Sequence, residues 1–266
     1  MNIRQTINRT YRHLVQLCAL LFCAACVQPA TLAPADSVTR HGPTTAVNTS
    51  AGVTITASTD MWSGDADITG VITPVKVTVT NASKRVLRIR YADLSLVSEQ
   101  GVRYATLPPH GIEDEIDRPA KNIARTTIRE SDFVAEGFRV AAHYRALYPN
   151  LTPDMTSRAF VDPSYHAFYY PLWQQAGDDL PTLTMLRQVL PEGVLDPGGT
   201  LDGFLYFEYV GNEPGGTAMH FRVDLVDADT GQMFATLHIP FVVTPYAVIV
   251  PRGTNGNGDI PDFHAR

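Results

Sequence analysis

The chain has 266 residues, of which 44% are hydrophobic and 18% charged, enough apolar side chain for a real core in one large or two small domains. Its net charge at neutral pH is −6, which argues against nucleic acid and against electrostatic adhesion to anionic lipid. The three cysteines, Cys18, Cys23 and Cys26, all lie near the N-terminus. The remainder of the chain therefore has no thiol nucleophile, no thiolate metal ligand and no disulfide to hold it.

In chain order, the first element is a positively charged start, Arg4, Arg9 and Arg12, followed by an apolar stretch from Leu14 to Ala25. That stretch is too short to span a bilayer, which takes about 20 residues. It reads as a secretory signal peptide over residues 1–25. Its end, Cys23-Ala24-Ala25-Cys26, resembles the lipobox of bacterial lipoproteins, with Cys23 standing where that family usually has leucine. Small residues there let the chain enter a narrow peptidase site, and the thiolate is the nucleophile that takes the lipid. The resemblance implies cleavage before Cys26 and a lipid anchor on it, with the membrane as partner. Removing the signal takes away three of the 21 basic residues and none of the 27 acidic ones, which leaves a mature charge of −9. Val27 rather than aspartate follows the cysteine, and by resemblance this implies the outer membrane, facing the periplasm.

Residues 26–50 are rich in Ala, Thr, Pro and Ser and read as a lipidated flexible tether. Residues 251–266, with Asn255-Gly256-Asn257-Gly258-Asp259, read as a flexible tail. Between them, residues 51–250 read as a single domain. Val53, Ile55 and Ala57 open it. Val75, Val77 and Val79 alternate with Lys76, Thr78 and Thr80, and after a turn at Asn81–Lys84, Leu87, Ile89 and Tyr91 alternate with Arg88 and Arg90. A period of two with one polar face predicts antiparallel strands with one solvated side.

From about residue 110 to 189 the alternation stops, and the segment reads as a long irregular insertion rich in aromatics. Within it, Gly137–Val140 suggests a short strand, and Thr182 is placed to cap a helix carrying Leu183, Leu186 and Leu190. Asp196-Pro197-Gly198-Gly199 reads as a turn. Phe204 to Tyr209 is apolar on both faces and predicts a central strand. Phe221, Val223 and Leu225 alternate with His220, Arg222 and Asp224, and Asp227–Gly231 turns into a last strand whose Pro240 suggests a bulge or an edge.

These elements amount to an antiparallel β-sandwich of about seven strands, interrupted by the insertion. Val75–Asn81, Leu87–Val97, Gly101 and Tyr104, together with Leu195–Gly199 and Gly203–Glu208, resemble the telokin-like, immunoglobulin-like domains of uncharacterised bacterial lipoproteins. The resemblance covers about half of the chain and implies a fold and a cellular address, with no established active site.

Catalytic chemistry is not predicted. His110, His143, His166, His220 and His238 lack metal-ligand spacing, and no zinc site or other metal or cofactor is expected. Asp227-Ala228-Asp229-Thr230-Gly231 has the alternate carboxylates of a calcium loop but no closing acid, so a hairpin turn accounts for it. No Gly-x-Ser-x-Gly elbow occurs. The expected function is a non-enzymatic module that binds an envelope protein. The alternative is a carbohydrate or small-ligand module that uses Tyr165, Tyr169, Tyr170 and Trp173, since tyrosine and tryptophan dominate binding hot spots. A first test concerns the anchor. Cys26→Ala is expected to abolish incorporation of a labelled fatty acid, and continued labelling of the variant would refute lipidation at Cys26.

Overall fold

The computed structural model describes residues 30–64, 67–109, 134–145, 148–156, 161–177 and 179–245. The signal segment 1–25, Cys26 and the tail 251–266 lie outside the described residues. The fold is mainly β. Its strands, in chain order, are β1 (Ala30–Pro34), β2 (Thr39–Arg40), β3 (Thr45–Ser50), β4 (Val53–Ser58), β5 (Ile72–Asn81), β6 (Leu87–Ile89), β7 (Leu94–Ser98), β8 (Arg103–Ala105), β9 (Ala135–Ala141), β10 (Thr152–Asp154), β11 (Gly193–Glu208), β12 (Ala218–Asp227) and β13 (Met233–Pro245). Three short helices, α1 (Pro163–Tyr169), α2 (Leu172–Ala176) and α3 (Leu183–Gln188), fall between β10 and β11.

All thirteen strands belong to one sheet, in which every pairing is antiparallel except that of β9 with β10. One run of neighbours is β9–β11–β5–β4–β3–β2, and another is β8–β7–β12–β13–β1. The short β6 joins the runs by pairing with both β11 and β12. The sheet curls until it is nearly a barrel: the Asn48 side-chain amide on β3 donates to the His238 carbonyl on β13 at 2.7 Å. Inside, Val75, Val77 and Val79 of β5 and Phe221, Val223 and Leu225 of β12 are buried, as their alternation predicts. Phe207 of β11 meets Phe221 of β12 edge-on at 5.6 Å, which ties the two runs together through the core.

The turn at Asn81 forms as expected and is held by its buried amide, which donates to the carbonyls of Arg85 and Leu195 at 2.8 and 3.0 Å. The hairpin at Asp227 uses that carboxylate on its own backbone, accepting from the amides of Asp229 and Thr230 at 2.9 and 3.0 Å. Burial pushes the Asp227 carboxyl up, but those hydrogen bonds and Arg85 outweigh it and hold it below the usual carboxylate range.

Four expectations are corrected. The described residues form thirteen strands in one curled sheet where about seven were expected. Residues 30–50, read as tether, form β1, β2 and β3. β1 and β2 stand at the two ends of the strand order, where sparse apolar content is enough, yet Leu32 of β1 and Ala46 of β3 are buried. Residues 196–199, read as a turn, lie within β11 as a bulge where its register with β9 shifts. Gly137 opposes that bulge at φ +63°, and a Cβ there would come 3.1 Å from the Gly199 Cα, so both the conformation and the space favour glycine. Finally, the segment 110–189 is not an irregular insertion in its described parts. β9 pairs with β11 as a regular member of the sheet, and Thr182 caps α3 by accepting from the Met185 amide at 3.2 Å. Pro240 sits in β13 just past the point where pairing with β1 stops, so on that side it lies at an edge, as its presence in the strand suggests.

The reassignment of residues 30–50 has a measurable consequence. Leu32→Ala should cost about 2–4 kcal/mol in urea unfolding, as buried leucine truncations do. A tether residue would cost nothing, and an unchanged unfolding midpoint would remove β1 from the core.

Candidate functional site

The aromatic segment owes its position to the two-sided hydrophobicity of β11. Leu205 and Phe207 point to the inner core, so Phe204 and Tyr206 point outward and need a second cover. Trp62, from the loop after β4, stands edge-on to both rings at 5.3 and 5.9 Å. Trp173 on α2 stands edge-on to Tyr206 at 5.8 Å, and its indole N–H donates to the Pro108 carbonyl at 2.8 Å. The Tyr206 hydroxyl donates to the Met185 carbonyl on α3 at 3.0 Å. Such rings bury large areas while their polar ends find partners.

The same packing orients α1. Asp162 caps it by accepting from the Tyr165 amide at 3.1 Å, and Pro163 occupies the first helical position, where no N–H is missed. His166 faces inward. Two residues on, Phe168 is turned about 200° around the helix and faces solvent, 69% exposed. Beside it lie Tyr169, edge-on at 4.8 Å, and Tyr165, tilted against Tyr169 at 4.5 Å and donating to the Thr106 carbonyl at 2.7 Å.

The four predicted contact residues therefore separate. Trp173 is buried and serves the core. Tyr165, Tyr169 and Tyr170 are half-buried and pack against it. Phe168, which the residue-type argument passed over, is the most exposed ring of the group. Its signal was the helical offset from an inward histidine, readable only if α1 is known to be a helix.

Beneath α1 lies a buried polar cluster. His166 Nε2 and the Tyr144 hydroxyl each lie 2.9 Å from Glu192 Oε2, and the Tyr91 amide donates to Oε1 at 2.8 Å. The Tyr91 hydroxyl donates to the Leu190 carbonyl at 2.9 Å. Imidazole, carboxylate and phenol within hydrogen-bonding reach are the groups of acid–base chemistry. Here His166 is 0% and Glu192 2% exposed, so no substrate reaches them in this conformation. Burial, with the Glu192 charge adding to it, pushes the Tyr91 and Tyr144 phenols far up, which keeps both hydroxyls protonated and donating. The cluster is a polar rivet that joins α1, the turn at Ala142–Tyr144 and the lead-in to β11.

Nearby, Arg139 on β9 reaches both Asp154 on β10 and Asp196 in the bulge. Burial raises the Asp154 carboxyl, but hydrogen bonds from Thr156 and the Arg139 charge prevail and hold it low.

A concavity of about 250 Å³ lies on the outer side of β5 and β11 between Met61, Ser63, Lys76, Gln188, Asp202 and Phe204. Lys76 and Asp202 form an ion pair across it at 3.5 Å. Among the described residues, no three side chains of His, Cys, Asp or Glu gather closely enough to hold a metal ion. Compared with protein-family models, with characterised proteins and with solved structures, the chain matches none.

Glu192 tests the rivet. Leaving a buried hydrogen-bonding group without its partner usually costs about 1–3 kcal/mol. Glu192→Ala should lower the unfolding free energy by that order in urea titration, and a variant as stable as the parent would show that the cluster does not hold α1 in place.

Proposed function

We propose that the chain is an exported lipoprotein of the bacterial cell envelope, anchored through Cys26 in the outer membrane and facing the periplasm, whose domain is a non-enzymatic protein-binding module. The fold within that reading is an immunoglobulin-like sandwich. Strand order supports it: β4, β5, β11 and β9 follow one another across one run, and β8, β7, β12 and β13 across the other. Numbered along the chain, this is the ABED and C′CFG arrangement of immunoglobulin-like domains. β1, β2, β3 and β10 are additions to it.

The observation that carries the binding reading is Phe168, a large ring left in water on a helix whose neighbouring rings are packed. Scattered exposed hydrophobics are ordinary on protein surfaces. An exposed aromatic anchored on packed tyrosines has the rigidity and apolar area of an interface anchor. The non-enzymatic part of the reading is supported by the sealing of His166 and Glu192.

A second reading, a site for a carbohydrate or other small polar ligand, moves from the aromatics to the concavity at Lys76 and Asp202, because Trp173 is withdrawn into the core. Its volume is slightly below the usual range of ligand pockets, about 300–1,000 Å³.

Crosslinking in intact cells followed by purification separates the two. Phe168→Ser, a surface change, should leave stability within about 0.5 kcal/mol. It should cut recovery of a specific protein partner at least tenfold, equivalent to about 1.4 kcal/mol. Unchanged recovery from Phe168→Ser would move the site away from α1. Loss of a small ligand on Asp202→Asn would favour the second reading.

A further inference from the structure

We infer that one end of the domain is held flat against the lipid surface, and that the opposite end is presented to the compartment. The inference rests on the anchor reading of Cys26 and deepens it by naming which surface meets the bilayer. Its basis is that β1 begins at Ala30, so only three residues, Val27, Gln28 and Pro29, separate the proposed lipid from a strand fixed in the sheet. Four peptide steps span at most about 14 Å fully extended. The headgroup layer itself takes up about 5–7 Å of that. A tether reaching to residue 50 would have let the domain roam; a link this short does not.

The sheet register defines the end in question. Ala30 pairs with Pro245, the last residue of β13. β13 runs toward that end alongside the start of β12, and the Ala218 carbonyl there accepts from the Glu99 amide of the β7–β8 turn. The loop from Glu208 to Ala218 joins the end of β11 to the same place, and Glu208 pairs with Ile72 at the start of β5. Val102 in the β7–β8 turn and Val71 beside Ile72 are both exposed there, 48% and 42%. Asp67, Glu99 and Arg103 are also exposed at this end and carry mixed charge, so the short link and the two exposed valines hold the surface rather than charge. The hairpin at Asp227–Gly231 lies at the other end of β12, about 30 Å away for a strand of ten residues.

The experiment uses the full lipidated chain in phosphatidylcholine vesicles that contain a nitroxide-headgroup lipid. On the anchor reading, a new cysteine is the sole free thiol of the mature chain, so a fluorophore is placed on Val102→Cys or on Asp229→Cys. Several-fold stronger quenching at position 102 than at position 229 is expected. A twenty-residue Gly/Ser insertion after Pro29 should remove most of that difference while the chain still floats with the vesicles. A chain that floats with both labels equally quenched, or with 229 quenched more, overturns the orientation and leaves the anchor standing. An unchanged difference in the lengthened chain overturns the short link as its cause. A chain that does not float shows that the anchor reading has failed and takes the orientation with it.

Discussion

β11 is apolar on both faces, and the rest of the structure answers that constraint. Leu205 and Phe207 are met from inside by the curled sheet, whereas Phe204 and Tyr206 would face water if the sheet were the whole fold. Each such side chain is worth roughly 1.5–3 kcal/mol when fully buried. The segment before β11 supplies the outer cover, with Trp173 and α3 against Tyr206, and Trp62 reaches over from the β4–β5 loop.

Covering one strand with short helices creates a second problem. α1, α2 and α3 have seven, five and six residues, far below the length at which an isolated helix persists in water. They are held by tertiary contacts, and the polar ones are specific. Glu192 gathers His166, Tyr144 and the Tyr91 backbone into one buried set, and Trp173 and Tyr165 bond to the carbonyls of Pro108 and Thr106. A residue set that resembles catalytic equipment therefore acts as a fastening. The face of α1 turned away from it is where Phe168 stands exposed.

The strands that precede β4 change how the domain meets its surroundings. Because β1 adds to β13 at the edge of the sheet, the link from the proposed anchor is short, and on that proposal the end of the sheet beside Ala30 is the end nearest the membrane. Binding surfaces that remain reachable are then those on the flank at α1 and at the far end around the Asp227 hairpin.

The amino-acid sequence by itself determined the elements whose cause is local. Alternation of Val75, Val77 and Val79 with polar residues specifies β5, and the same period specifies β12, because side chains on a strand point to opposite faces in turn. Asn81 and Asp227 mark their turns, since their side chains bond the nearby backbone, and Thr182 marks the start of α3 for the same reason. The two-sided strand at Phe204–Phe207 was equally legible. Only tertiary structure decided what lies on the outer side of that strand, because burial of Trp173, His166 and Glu192 depends on partners 20 to 100 residues away. It also decided that residues 30–50 are strands. Their alanines and threonines carry too little apolar surface to announce a strand, and an edge position beside β13 needs little. The exposure of Phe168 belongs to the same class: it is set by which face of α1 the buried histidine claims.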